Sequence, residues 1–217
     1  MSALHISVWR WGIKYTDDHV AKLQAGVARH LRQPYRWLVC RPEPEDAVLT
    51  LMAGCFVRLR MFDPAWQERQ GIAPGDRLVC MDLDSIVTGR LDPLFDSAAP
   101  FSILQGANAS NPCPYNGSVM MLRGGYRPDV WTDFTVEDAQ DIPHFEFPDD
   151  QGWLAHKIPD ATDWKVGVES GIYAYQKPGW PSRGTALPAD ARLVVFPGWR
   201  DPSLFTKLPW VQQNWVA

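Results

Sequence analysis

Apolar and polar positions alternate from Leu4 to Trp11, the period-two pattern of a strand, and Gly12 ends the run. Beyond it, Val20, Leu23, Val27 and Leu31 recur at helical spacing behind Asp17 and Asp18, which predicts an Asp-capped helix closed by Pro34. Tyr35 to Cys40 reads as a second strand. A strand, a helix and a strand make a βαβ unit, and that order predicts an α/β fold with a mainly parallel central sheet flanked by helices. Ala47 to Phe62 mixes Leu, Met, Phe and Arg and is expected to be helical. Gly75-Asp76 is a turn into Arg77 to Met81, a short apolar strand. Further strands are expected at Phe101 to Leu104, Asn116 to Leu122, Val168 to Gln176 and Arg192 to Phe196. Short helices are expected from Asp129 and from Asp149. No internal repeat, low-complexity tract or linker interrupts the chain, so one domain over 1–217 is expected.

Composition narrows the function classes. A formal net charge of -4 gives no excess of Lys and Arg for neutralising phosphates, which argues against a nucleic-acid partner. No apolar run approaches the roughly 18 to 20 residues of a membrane span, and no basic-then-apolar leader opens the chain. An unexported, cytoplasmic protein is expected. Cys40, Cys55, Cys80 and Cys113 have no zinc-site or redox spacing and read as small buried hydrophobes. Trp is unusually frequent, at 11 residues, and packing is the expected role of most of these indoles.

The sharpest chemical signal is Leu78-Val79-Cys80-Met81-Asp82-Leu83-Asp84. An apolar strand delivers two carboxylates at its C-terminal end, where open α/β sheets bind ligands. Alternation along extended chain points Asp82 and Asp84 to one side. Two hard oxygen ligands suit Mg²⁺ or Mn²⁺, ions that in turn bridge phosphate oxygens. The plainer alternative is a strand end with two solvated aspartates.

With its flanks, RLVCMDLDSIVTGRLDPLF resembles the core of the GT-A glycosyltransferases, in particular the glycogenin-like and bacterial lipopolysaccharide galactosyltransferase-like families. Tyr115-Asn116-Gly117-Ser118-Val119-Met120-Met121 resembles their "FNAGVMLI" strand. Asp149-Asp150-Gln151 resembles the "DQ" pair that opens a helix. Val195 to Pro202 resembles the closing "HFxGxxKPW". The four pieces stand in family order between residue 77 and about residue 202.

The resemblance implies a single GT-A-like domain, with a nucleotide-binding half over 1–84 and a sugar and acceptor half over 85–217. It implies transfer of a sugar from a nucleoside-diphosphate sugar, expected to be a UDP-sugar, to an acceptor the sequence does not identify. Asp82 and Asp84 would hold Mn²⁺ or Mg²⁺ on the diphosphate. Asn116 and Ser118 would line the sugar pocket, and Asp150 and Gln151 would stand at the reacting sugar. Trp9, Trp11, Lys14 and Tyr15 would contact base and ribose. Arg58, Arg60 and Arg200 are candidates for a phosphate or sugar contact.

Each residue has a structural alternative. Asn116 suits a turn entering a strand, Asp149 a helix cap, Trp9 and Trp11 core packing, and Arg58 and Arg60 a solvated helix face. The five histidines read as structural. The final motif departs from the family: neither Val195 nor Pro197 is the expected His ligand, and Arg200-Asp201-Pro202 replaces Lys-Pro-Trp. Asp201 or a water is then the candidate for completing the metal shell, with His156 as a further one. Two other functions compete. A haloacid-dehalogenase-like phosphatase would use Asp82 as nucleophile and Asp84 as general acid. A non-catalytic nucleotide-sugar-binding protein would keep the fold without the reaction.

Overall fold

The computed structural model describes residues 2–107, 111–177, 179–180 and 184–217. Its strands are β1 (Leu4–Trp9), β2 (Arg36–Cys40), β3 (Arg77–Met81), β4 (Ser85–Val87), β5 (Phe101–Gln105), β6 (Tyr115–Arg123), β7 (Thr162–Lys165), β8 (Ile172–Ala174) and β9 (Leu193–Val195). Its helices are α1 (Asp17–His30), α2 (Ala47–Leu51), α3 (Pro64–Arg69), α4 (Asp92–Phe95), α5 (Asp129–Thr132), α6 (Val136–Gln140), α7 (Asp150–Lys157) and α8 (Pro209–Asn214). A six-stranded sheet has the order β2-β1-β3-β6-β5-β7. β1 runs parallel to β2 and β3, β7 runs parallel to β5, and β6 is antiparallel to both neighbours. This is the expected mixed α/β architecture with a mainly parallel centre.

Apolar layers cover both faces of that sheet. Leu4, Ile6 and Val8 pack with Val20, Leu23 and Val27 of α1 on one face. Leu78, Cys80 and Phe101 pack with Phe56, Phe62 and Trp66 on the other. All six residues of β1 are therefore buried, so its polar positions are paired within the fold rather than solvated. Ser7 donates to the Val79 carbonyl at 2.9 Å, and His5 meets Asp76 at 3.2 Å. The strand stops at Trp9, which leaves Trp11 in the following loop. Thr16 takes the cap position of α1, its N–H donating to His19 Nδ1 at 3.2 Å, while Asp17 and Asp18 occupy the first turn.

The expected helix over Ala47 to Phe62 is replaced by two pieces. After α2 the chain bends through Gly54 and Cys55, which sits at φ 56°, and winds tightly in 3₁₀ turns over Phe56–Phe62. A contact distant in sequence forces the break. The Asp150 N–H donates to the Gly54 carbonyl at 2.8 Å, and a Cβ on Gly54 would collide with the Pro148 carbonyl. All seven residues of the tight segment are buried, Arg58 and Arg60 included, so neither arginine lies on a solvated face.

A second sheet, of order β4-β9-β8, was not anticipated from the sequence. Ser85 pairs with Val195, so the strand leaving Asp84 is stitched to the strand that leads into Phe196–Arg200. Beneath it, Tyr175, Trp180, Phe196, Trp210 and Trp215 form a third core cluster. Packing is thus the role of these indoles. The expected strand over Val168 to Gln176 shrinks to β8. The four cysteines are free thiols, three of them buried, with burial pushing Cys40 and Cys55 up to about 12.

Candidate functional site

At the C-terminal ends of β1 and β3 a cleft of about 880 Å³ opens, lined by chain segments far apart in the sequence. The loop after β1 brings Trp9, Trp11, Lys14 and Tyr15. The tight turns bring Arg58, and the end of β3 brings Asp82 and Asp84. β6 and the start of α7 bring Asn116, Ser118, Asp150 and Gln151, and the loop after β9 brings Arg200. Every residue singled out above as catalytic, ligand-binding or metal-holding therefore borders one cavity, except Arg60, Asp201 and His156.

Arg58 is the hub. Its Nε donates to Asp150 Oδ2 at 2.7 Å, its Nη2 to Asp150 Oδ1 at 3.0 Å, its Nη1 to Asp82 Oδ1 at 2.6 Å and also to the Gly117 carbonyl at 2.9 Å. A Cβ on Gly117 would overlap the guanidinium, so glycine is needed in the strand at that point. Burial pushes the Asp150 carboxyl up to about 6, and the paired Arg58 charge keeps it ionised at neutral pH. Burial works against the guanidinium as well, but Asp150 and Asp82 hold its pKa above the ordinary value.

Asp82 continues the ladder of β3, its N–H donating to the Ser118 carbonyl at 2.9 Å. Asp84 is buried and accepts from the Tyr15 hydroxyl at 2.5 Å. Burial, followed by the Asp82 charge, pushes the Asp84 carboxyl up to about 7. Burial and the same carboxylates lift the Tyr15 phenol far above its usual range, so it stays a donor. Two repelling carboxylates at a strand end form a donor set that fits a hard divalent cation, because a cation between them would relieve both burial and repulsion. Among the described residues no group of three or more His, Cys, Asp or Glu side chains is placed to hold a metal ion. Asp82 and Asp84 would then be the whole protein contribution, and ligand oxygens would supply the rest of the shell.

The other residues divide by what their polar atoms already do. Asn116 accepts the Ser118 N–H at 3.1 Å with its Oδ1, which leaves its amide hydrogens for a ligand. Gln151 is spent on the fold: its Oε1 accepts from the Gly117 N–H at 3.1 Å and its Nε2 donates to Asp149 at 2.6 Å. Asp149 is the α7 cap, accepting the Gly152 N–H at 2.8 Å. Arg200 donates to the Tyr175 carbonyl at 3.3 Å. Trp9 is buried and stacks on Trp66, with ring centroids 5.6 Å apart.

Three expectations are corrected. Arg60 points away from the cleft into Asp46 and Asp63, with its guanidinium 4.4 Å from the centre of the Trp131 ring. Two residues along a 3₁₀ turn lie on different sides, so Arg58 and Arg60 cannot share one ligand. Asp201 caps the turn after it and meets His19 at 3.0 Å, which takes it out of the metal shell. His156 borders a separate, acidic hollow with Asp133, Asp138 and Asp141. Conversely, Cys55, Phe145, Phe147 and Trp199 line the cleft without having been singled out. For Phe145 and Phe147 the available signal was aromatic residues inside a Pro-rich loop.

No protein-family profile matches the chain, and no curated protein resembles it in sequence. Solved structures do resemble it in fold. The galactosyltransferase LgtC, solved with donor and acceptor sugar analogues, superposes with a TM-score of 0.59 at 12% identity, over 99% of this chain and 97% of that one. A glycosyltransferase involved in glycosylation of the major capsid of PBCV-1 gives 0.57 at 14% identity, over 90% and 93%. The apo form of GlyE from Streptococcus pneumoniae TIGR4 gives 0.59 at 12% identity, over 98% of this chain and 63% of that one. The chain therefore has the GT-A glycosyltransferase fold and resembles the LgtC-like glycosyltransferases in architecture.

Proposed function

We propose that the protein is a glycosyltransferase that moves a sugar from a nucleoside-diphosphate sugar, a UDP-sugar, to an acceptor hydroxyl, with Mn²⁺ or Mg²⁺ held by Asp82 and Asp84. One observation carries the reading: four sequence pieces far apart in the chain converge on one cleft at the end of β3. When bound, the ion would offset the charge that develops on the departing nucleotide. The chain's own groups do the rest. Arg58 fixes Asp82 and Asp150 in one rigid frame, two carboxylates on a single guanidinium. Asn116 offers donors to sugar hydroxyls, and the bonds of Gln151 to the Gly117 backbone and the Asp149 carboxylate hold the wall between β6 and α7 in place. Asp150, ionised and buried, presents a fixed negative charge beside the reacting sugar, the sign that stabilises a developing oxocarbenium centre.

The test is calorimetry of UDP-sugars with and without Mn²⁺. Asp82→Asn and Asp84→Asn are expected to abolish metal-dependent donor binding while circular dichroism shows an intact fold. Unchanged donor affinity in both variants would refute the assignment. Hydrolysis of simple phosphate esters with phosphate trapped on Asp82 would favour the phosphatase instead. Donor binding without transfer to any of a panel of acceptor sugars would favour the binding-protein reading.

A further inference from the structure

Lys14 stands in the loop between β1 and α1, and its ammonium meets acceptors from two distant segments: Asp84 Oδ2 at 3.5 Å and the Gly198 carbonyl at 3.2 Å. The Tyr15 hydroxyl donates to the same Asp84 oxygen. One carboxylate oxygen thus serves an ammonium and a phenol together. The partners differ in freedom. The Asp84 side chain is 6% exposed and fixed, whereas that of Lys14 is 52% exposed on a flexible four-carbon stem. Arg58 has no such freedom, being buried and bound to Asp82, Asp150 and Gly117. Arg200 and Lys177 also line the cleft, but among the described residues neither contacts Asp82 or Asp84.

We infer that Lys14 is the resident counter-ion of Asp84 and that an entering nucleoside diphosphate draws it away, so that donor binding and cation loading are coupled through this side chain. The inference rests on the proposed glycosyltransferase function, because it requires a diphosphate in the cleft. An ammonium and a divalent ion compete for one oxygen, since like charges at that separation repel strongly in a partly buried site. A diphosphate offers the ammonium several anionic oxygens in exchange for one. Once Lys14 has moved, Asp84 is free to ligate. Because no third carboxylate or imidazole among the described residues joins Asp82 and Asp84, this oxygen matters more than it would in a fuller shell.

The experiment titrates Mn²⁺ into wild type and Lys14→Met, following free Mn²⁺ by electron paramagnetic resonance, first without nucleotide and then with saturating UDP. Methionine keeps the apolar stem and removes the charge, and Lys14→Arg serves as the charge-retaining control. Lys14→Met is expected to hold Mn²⁺ about tenfold more tightly without nucleotide, and the factor by which UDP tightens Mn²⁺ is expected to fall by a similar amount. Lys14→Arg should keep most of the coupling. Equal nucleotide-free Mn²⁺ affinity in wild type and Lys14→Met overturns the inference, as does an unchanged coupling factor. UDP binding that is as strong with chelator as with Mn²⁺, and is lost in Lys14→Met, overturns it too, by making the ammonium a replacement for the ion. Failure of UDP to bind either protein sinks the glycosyltransferase reading and the coupling with it. UDP binding without a difference in coupling sinks the coupling alone.

Discussion

Arg58 and Asp150, 92 positions apart in sequence, form a two-pronged ion pair with N–O distances of 2.7 and 3.0 Å, and both side chains are buried. The pair joins the tight turns after Cys55 to the first residue of α7. Through the third nitrogen it also reaches Asp82, so the end of β3 and the start of α7 share one cation. Removing one partner of such a pair leaves an uncompensated buried charge, which costs more than the pair itself contributes. Arg58→Met is accordingly expected to lose about 3–5 kcal/mol in urea denaturation. Adding Asp150→Asn in that background should recover a large part of the loss. A double variant no more stable than Arg58→Met would show that the stranded charge is not the cause.

Asp84 is held in a way that opposes folding. Its carboxyl is raised to about 7, so the folded state binds its proton more tightly than the unfolded chain does. Such a group contributes its full stability below the ordinary carboxyl range of about 3.9, and the contribution is lost as pH rises through 7. Asp84→Asn is therefore expected to raise the melting temperature at pH 8 by about 2–4 °C, equivalent to about 1 kcal/mol for a chain of this size. The difference should vanish toward pH 4. A variant less stable than wild type at pH 8 would contradict the charge-burial account.

Gly54 permits the close approach of two loops. Its carbonyl accepts from Asp150, and a Cβ there would also press on Asp149. Gly54→Ala is expected to cost about 1–3 kcal/mol, the usual range for overpacking. It should also weaken UDP binding, since the same contact places Arg58. Full stability in chemical denaturation would show that the loops can part without cost.

Asp76 anchors the starts of the central strands β1 and β3 through several donors. It accepts from the Ala3 N–H at 2.8 Å and the Ala73 N–H at 3.0 Å, and meets His5 at 3.2 Å. These hydrogen bonds hold its carboxyl below the usual range despite the opposing effect of burial. The stabilisation is present above about pH 4 and is lost as pH falls further. Asp76→Asn should thus melt below wild type at pH 7, with the gap narrowing toward pH 3. A gap that stays constant across this range would mean that the ionised form is not what matters.

Short-range pattern was enough to read those parts of the protein that local periodicity and capping govern. A period-two run located β1, short apolar runs located β3 and β6, helical spacing located α1, and the run into Asp82-Leu83-Asp84 marked the strand end at which the cleft opens. The cap role of Asp149 was also readable, because capping depends on bonds within one turn. Tertiary structure alone decided the rest. Ala47 to Phe62 carried a helical composition, yet the press of Pro148 and Asp149 on Gly54 broke it, and a contact across nearly a hundred residues leaves no local pattern. The roles of Arg58, Arg60 and Lys14 were equally hidden. A charged side chain looks the same in sequence whether it faces water or a buried carboxylate, and only the packing of distant segments sets which partner lies within reach. Strands β4 and β7 escaped notice because three or four residues are too few to show a period. Pairing with β9 and β5 across the fold, rather than local preference, holds them in place.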